Sequence, residues 1–91
     1  GQVQAANIFS TDPAIAANGF VALEDTKRLF GSQNIVPLVR ADRAEEVKET
    51  LNAVSAKLTT ESIAGMLKQT DIDKADPKTV AEEFLTTNGL G

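Results

Sequence analysis

The chain has 91 residues, 42% of them hydrophobic and 24% charged, with a formal net charge of −4. Such a composition allows one small folded domain and excludes both a disordered polyelectrolyte and a basic nucleic-acid-binding surface. With no Cys and no His, disulfides, thiolate or imidazole catalysis and the usual zinc sites are excluded as well.

Four Phe and no Trp or Tyr leave an aliphatic core of Leu, Val, Ile and Ala as the expectation. Residues 1–40 carry three acids and three bases, residues 41–91 ten acids and six bases. The acidic surplus is interspersed with Lys, the pattern of a solvated helical surface. No apolar run approaches the ~20 residues of a membrane span. The opening Gly1-Gln2-Val3-Gln4 reads as the interior of a longer protein.

The first forty residues read as extended segments broken by turns. A strand is expected at 3–9, ending on the apolar pair Ile8-Phe9. Ser10-Thr11-Asp12-Pro13 supplies turn chemistry, because the short polar side chains bond nearby backbone and Pro fixes φ. One helical turn follows over 13–17, capped by Asp12 or Thr11 and stopped by Asn18-Gly19. A second short strand is expected at 20–23 and a loop at 24–34, with a turn around 27–29. The third apolar run, 35–39, is limited by Pro37 to an edge strand or a strand end.

The remainder reads as helical. Asp42 and Glu45 form a D-x-x-E capping pattern. Ala44, Val47, Leu51, Val54 and Leu58 then recur at spacings of three and four, which predicts a helix over 43–56 with one apolar stripe. Thr59 or Thr60 caps a second helix at 60–69 with Ile63, Met66 and Leu67 inward. Residues 70–75 form a polar connector. Asp76-Pro77 opens a third helix, 77–87, with Val80, Ala81, Phe84 and Leu85 on its inner face and Asn88-Gly89 as its stop.

Chemistry-bearing constellations are few. Glu45-Glu46 and Glu82-Glu83 are helix neighbours that point in different directions, so neither is a catalytic pair. Asp71 and Asp73 lack the Gly and terminal Glu of a calcium loop. There is no glycine-rich phosphate loop. The informative segment is Phe9-Ser10-Thr11-Asp12-Pro13-Ala14-Ile15, which local physics reads as a strand end with a core Phe and a capped helix entry.

The run Gln4 to Ile15 resembles the ligand segment of glycine betaine/choline/carnitine-binding proteins of ABC importers. Four further runs resemble segments of that family in the same order. They are Val21 to Phe30, Asn34 to Arg40, Leu51 to Thr59, and Val80 to Leu90. The resemblance implies an α/β fold, the C-terminal fragment of a two-lobed type II periplasmic-binding-protein fold, with short strands first and the three helices after them. Residues 1–40 would be the end of the second lobe with its ligand loop and crossover strands. Residues 41–91 would be the C-terminal helical part packing on the first lobe.

The resemblance also implies ligand capture and not catalysis, with no cofactor and no metal. The implied partners are a quaternary ammonium small molecule and an ABC permease in the membrane, reached through the full-length parent, in an osmoprotective transport system. The implied location is extracytoplasmic, in the periplasm or at the cell surface, with the parent free, lipid-anchored or fused to its permease. A trimethylammonium group has no N–H to donate, so aromatic faces recognise it through cation–π attraction of roughly 0.5–2 kcal/mol per ring. By the resemblance, Phe9 occupies the position of one cage ring, commonly Tyr in the family; Phe keeps the π face and loses the hydroxyl. Ser10, Thr11 and Asp12 are the implied polar contacts, Thr11 the better ligand candidate and Asp12 mainly a cap. Phe20 and Phe30 are expected in packing. One ring is not a cage, so the chain alone is expected to bind weakly or not at all. The alternative is an isolated structural subdomain that self-associates through unpaired strands.

Overall fold

In the computed structural model, residues 2–31 and 33–91 are described. Four α-helices appear: α1 (Ala14–Ala17), α2 (Ala44–Ser55), α3 (Thr60–Leu67) and α4 (Pro77–Thr87). A 3₁₀ turn, Ala41–Arg43, leads into α2, and a π-helical turn, Lys68–Ile72, continues α3. Among the described residues no helix is long and apolar enough to cross a membrane.

Each helix is bounded by the chemistry its sequence offers. Before α3 the Thr59 amide donates to Ser62 Oγ (2.8 Å) and the Ser62 amide donates to Thr59 Oγ1 (3.1 Å), a reciprocal capping box. Asp76 Oδ2 accepts from the Thr79 amide (3.0 Å) at the start of α4, where Pro77 has no amide to leave unsatisfied. After α4, Gly89 adopts φ 68° and the Leu90 amide reaches back to the Leu85 carbonyl (2.8 Å), closing a Schellman motif. The entry to α2 differs from the expected capping pattern. Asp42 lies inside the 3₁₀ turn and its carboxylate takes a bidentate bond from Arg40 (2.6 and 3.0 Å), so no side chain caps this helix.

The apolar stripe of α2 is as spaced in the sequence: Ala44, Val47, Leu51, Val54 and, just beyond, Leu58 are half-buried, and the intervening helix residues are exposed. The core is small. Val80, 4% exposed, is the one buried hydrophobic among the described residues. It lines an apolar groove of about 190 Å³ with Leu58, Ile63, Met66, Leu67 and Ala81. Ile35, from the extended segment, also reaches this groove.

The α/β expectation is wrong for this structure. No strand exists among the described residues; 3–9, 20–23 and 35–39 are non-helical and form no ladder. A strand is held by hydrogen bonds to another strand, and isolated short runs do not persist without a sheet. Most of their side chains face solvent instead: Leu38 is fully exposed, Leu23 87% and Val21 83%. Phe20 and Phe30, expected in packing, are exposed too. The consequence is global. The chain exposes 7953 Å², against about 5,100 Å² expected of a compact monomer of its mass. Its radius of gyration is 16.3 Å, against about 12 Å for a compact chain of this length.

Order in the first forty residues comes from local bonds. Asp25 Oδ2 accepts from the Phe30 amide (2.8 Å), and the Arg28 amide donates to the Asp25 carbonyl (3.1 Å). Arg28 itself sits at φ 52°, a conformation that costs a non-glycine residue about 1–2 kcal/mol. The amides of Phe30 first, then Leu29, Lys27 and Arg28, hold the Asp25 carboxyl below its ordinary value of 3.8.

Two expectations follow. Val80→Ala removes two methylene equivalents from the one buried site and should cost about 1–2 kcal/mol, read as a lower melting temperature by circular dichroism; an unchanged melting temperature would mean the groove is not the core. The bonds to Asp25 stabilise the 25–30 turn above pH 3.8 and lose that contribution as pH falls through the lowered folded value. The Phe30 amide shift should therefore titrate with a midpoint below 3.8, and Asp25→Asn should abolish the titration. A midpoint at or above 3.8 would count against the bond.

Candidate functional site

Pro13 and Asp12 build the site from the backbone outward. Pro13, with φ −65°, precedes the single turn of α1. The Asp12 amide donates to the Phe9 carbonyl (3.0 Å), which closes a turn over 9–12. Asp12 Oδ1 in turn accepts from the Ala14 amide (2.8 Å), tying the turn to the first residue of α1. At the far end Gly19 takes φ 65° and the Phe20 amide returns to the Ile15 carbonyl (2.8 Å). Residues 9–20 are thus a hydrogen-bonded unit, with Thr11 to Ile15 half-buried.

That unit faces an open cleft of about 430 Å³, within the range of small-molecule sites. Phe9, Thr11 and Asp12 line it, with Ala14 and Ala17 of α1 and Asn18 just after that helix. Leu67, the last residue of α3, also lines it, with Asp71 and Ile72 of the π turn. Of the four sequence-derived candidates, Phe9, Thr11 and Asp12 meet around this cleft. Ser10 is exposed and does not line it. Phe9 is 76% exposed, so it is not part of a core.

Leu67, Asp71 and Ile72 were not legible as cleft residues. Leu67 reads as helix core, and Asp71-Ile72 as a polar connector. No pattern in the sequence announces the π turn. It arises where the Asp73 amide reaches the Lys68 carbonyl five residues back (3.1 Å). Lys74 follows at φ 59°, its ammonium donating to the Asp71 carbonyl at 2.6 Å. Lys68 pairs instead with Asp73 (3.0 Å). The cleft therefore combines one aromatic ring, an apolar floor and two carboxylates, and among its described lining residues there is no Lys or Arg. Such a surface suits a cation with an apolar shell. It holds no nucleophile–base pair.

A family model described as the substrate binding domain of an ABC-type glycine betaine transport system matches residues 1–87. No solved structure matches the chain.

Proposed function

The chain belongs to the family of substrate binding domains of ABC-type glycine betaine transport systems, and from that premise we propose that it forms part of an extracytoplasmic protein that captures quaternary ammonium compounds for import. The observation that carries the reading is the family match, which runs through nearly the whole chain. The meeting of Phe9, Thr11 and Asp12 around one cleft supports it. In this reading Phe9 offers its π face to the trimethylammonium group. Thr11 supplies a hydroxyl to the ligand's polar end. Asp12 holds the turn that presents both, and Ser10 belongs to that turn without lining the cleft. Residues 1–40 carry the ligand loop, and residues 41–91 form a helical part that packs on the remainder of a longer protein. That protein hands its ligand to a membrane permease.

The ligand class extends to choline and carnitine, since all share the trimethylammonium group that a ring recognises. The role is capture, with no bond made or broken. A single ring contributes roughly 0.5–2 kcal/mol, whereas even a 1 mM complex requires about 4 kcal/mol. The chain by itself should therefore bind more weakly than about 1 mM. Titration with glycine betaine and choline, followed by amide NMR, should move Phe9 to Asp12 in wild type, and Phe9→Leu should remove the response. Saturable micromolar binding by calorimetry would refute the expectation of weak binding by the chain alone.

A second reading rests on the exposed apolar side chains of the extended segment, Val21, Leu23 and Leu38 above all. Here the chain is an interaction subdomain whose copies associate through these residues. Gel filtration at two concentrations separates the readings: a concentration-dependent shift to dimer favours association, and a constant monomer removes it.

A further inference from the structure

The cleft described above carries a charge pattern that discriminates among quaternary amines. It brings together two carboxylates from separate elements, Asp12 before α1 and Asp71 in the π turn. Asp12 is committed to its turn through the Ala14 amide (2.8 Å). Asp71 is less committed. Thr70 Oγ1 donates to its Oδ1 (3.0 Å), and no ammonium or guanidinium among the described residues pairs with its carboxylate. The two neighbouring lysines are occupied elsewhere, Lys68 on Asp73 and Lys74 on the Asp71 carbonyl oxygen.

We propose that Asp71 is the counter-charge of this cleft and biases it toward net cations such as choline over zwitterions such as glycine betaine. The proposal rests on the quaternary-ammonium reading and adds to it the charge class of the ligand. Choline presents a trimethylammonium group and a neutral hydroxyl. The former meets Phe9 in the cleft that Asp71 also lines, and the latter finds a partner in Thr11. Glycine betaine carries its own carboxylate a short distance from the cationic nitrogen. Among the described lining residues that carboxylate has no basic side chain to meet, Lys74 being held on the Asp71 carbonyl, and it lies near Asp12 and Asp71, where like charges repel. The π turn has a specific part in this. A regular α-helical continuation of α3 would turn residue 71 to a different angle, whereas the wider turn sets Asp71 beside Ile72 on the cleft wall.

The test compares choline and glycine betaine chloride titrations of the full chain at matched ionic strength, with the amides of Phe9, Thr11, Asp12 and Asp71 as reporters. Wild type should respond to choline at lower concentration than to glycine betaine. Asp71→Asn should weaken the choline response roughly two- to five-fold, the scale of a solvent-exposed charge pair, and narrow the gap to glycine betaine. Glu49→Gln changes net charge identically but lies on α2, outside the cleft and away from the π turn, and should leave both responses as in wild type. Equal responses to the two ligands in wild type would overturn the proposal and leave the binding reading standing. So would equal effects of the two substitutions, since the effect would then be one of net charge. No response to either ligand would remove the binding reading and this proposal with it. The wild-type comparison needs no variant to fold.

Discussion

Burial of Val80 is the contact on which the ordered half of this chain depends. Helices of eight to twelve residues such as α2, α3 and α4 are marginal in water unless an apolar face is covered. Leu58, Ile63, Met66 and Leu67 supply that cover from one side and Val80 and Ala81 of α4 from the other. Caps then fix where each helix begins and ends. The exposed ion pairs, Arg43 with Glu46 and Lys78 with Glu82 among them, add little beside this.

Leu67 joins this core to the candidate site. It lines both the apolar groove around Val80 and the cleft that Phe9 lines. The Leu67 part of the cleft is therefore positioned by helix packing, whereas the Phe9 part is positioned by local bonds within residues 9–20. The two parts differ in what holds them. The Phe9 part is a turn that its own side chains specify, and the Leu67 part follows from the widening of α3 into a π turn. An open cleft with one ring, one hydroxyl and two carboxylates matches the chemistry of a cation that donates no hydrogen bond.

The first forty residues show the opposite balance. Their apolar side chains are plentiful, yet most find nothing to cover them. Asp25 and Asp12 organise short turns around themselves, but a turn buries little area, and a backbone bond closed over five residues cannot replace a ladder between strands. The large exposed surface and the long radius of gyration are both consequences.

What the sequence determined by itself is what short-range chemistry determines: the stripe of α2, the Thr59 and Asp76 caps, the glycine stops after α1 and α4, and the turn at Phe9 to Asp12. Each needs only neighbours within about four residues, so each was legible. The D-x-x-E pattern at Asp42 misled because the same carboxylate also suits Arg40, two residues before it, and that pairing prevailed. Loose alternation at 3–9 and the apolar runs at 20–23 and 35–39 announce a preference for extension but not a partner. A sheet is a property of pairs of segments, and the tertiary structure decided that none forms here. It likewise decided that Asp71 and Ile72 line one cleft with Phe9, because residues more than sixty positions apart meet only through packing that no local pattern encodes.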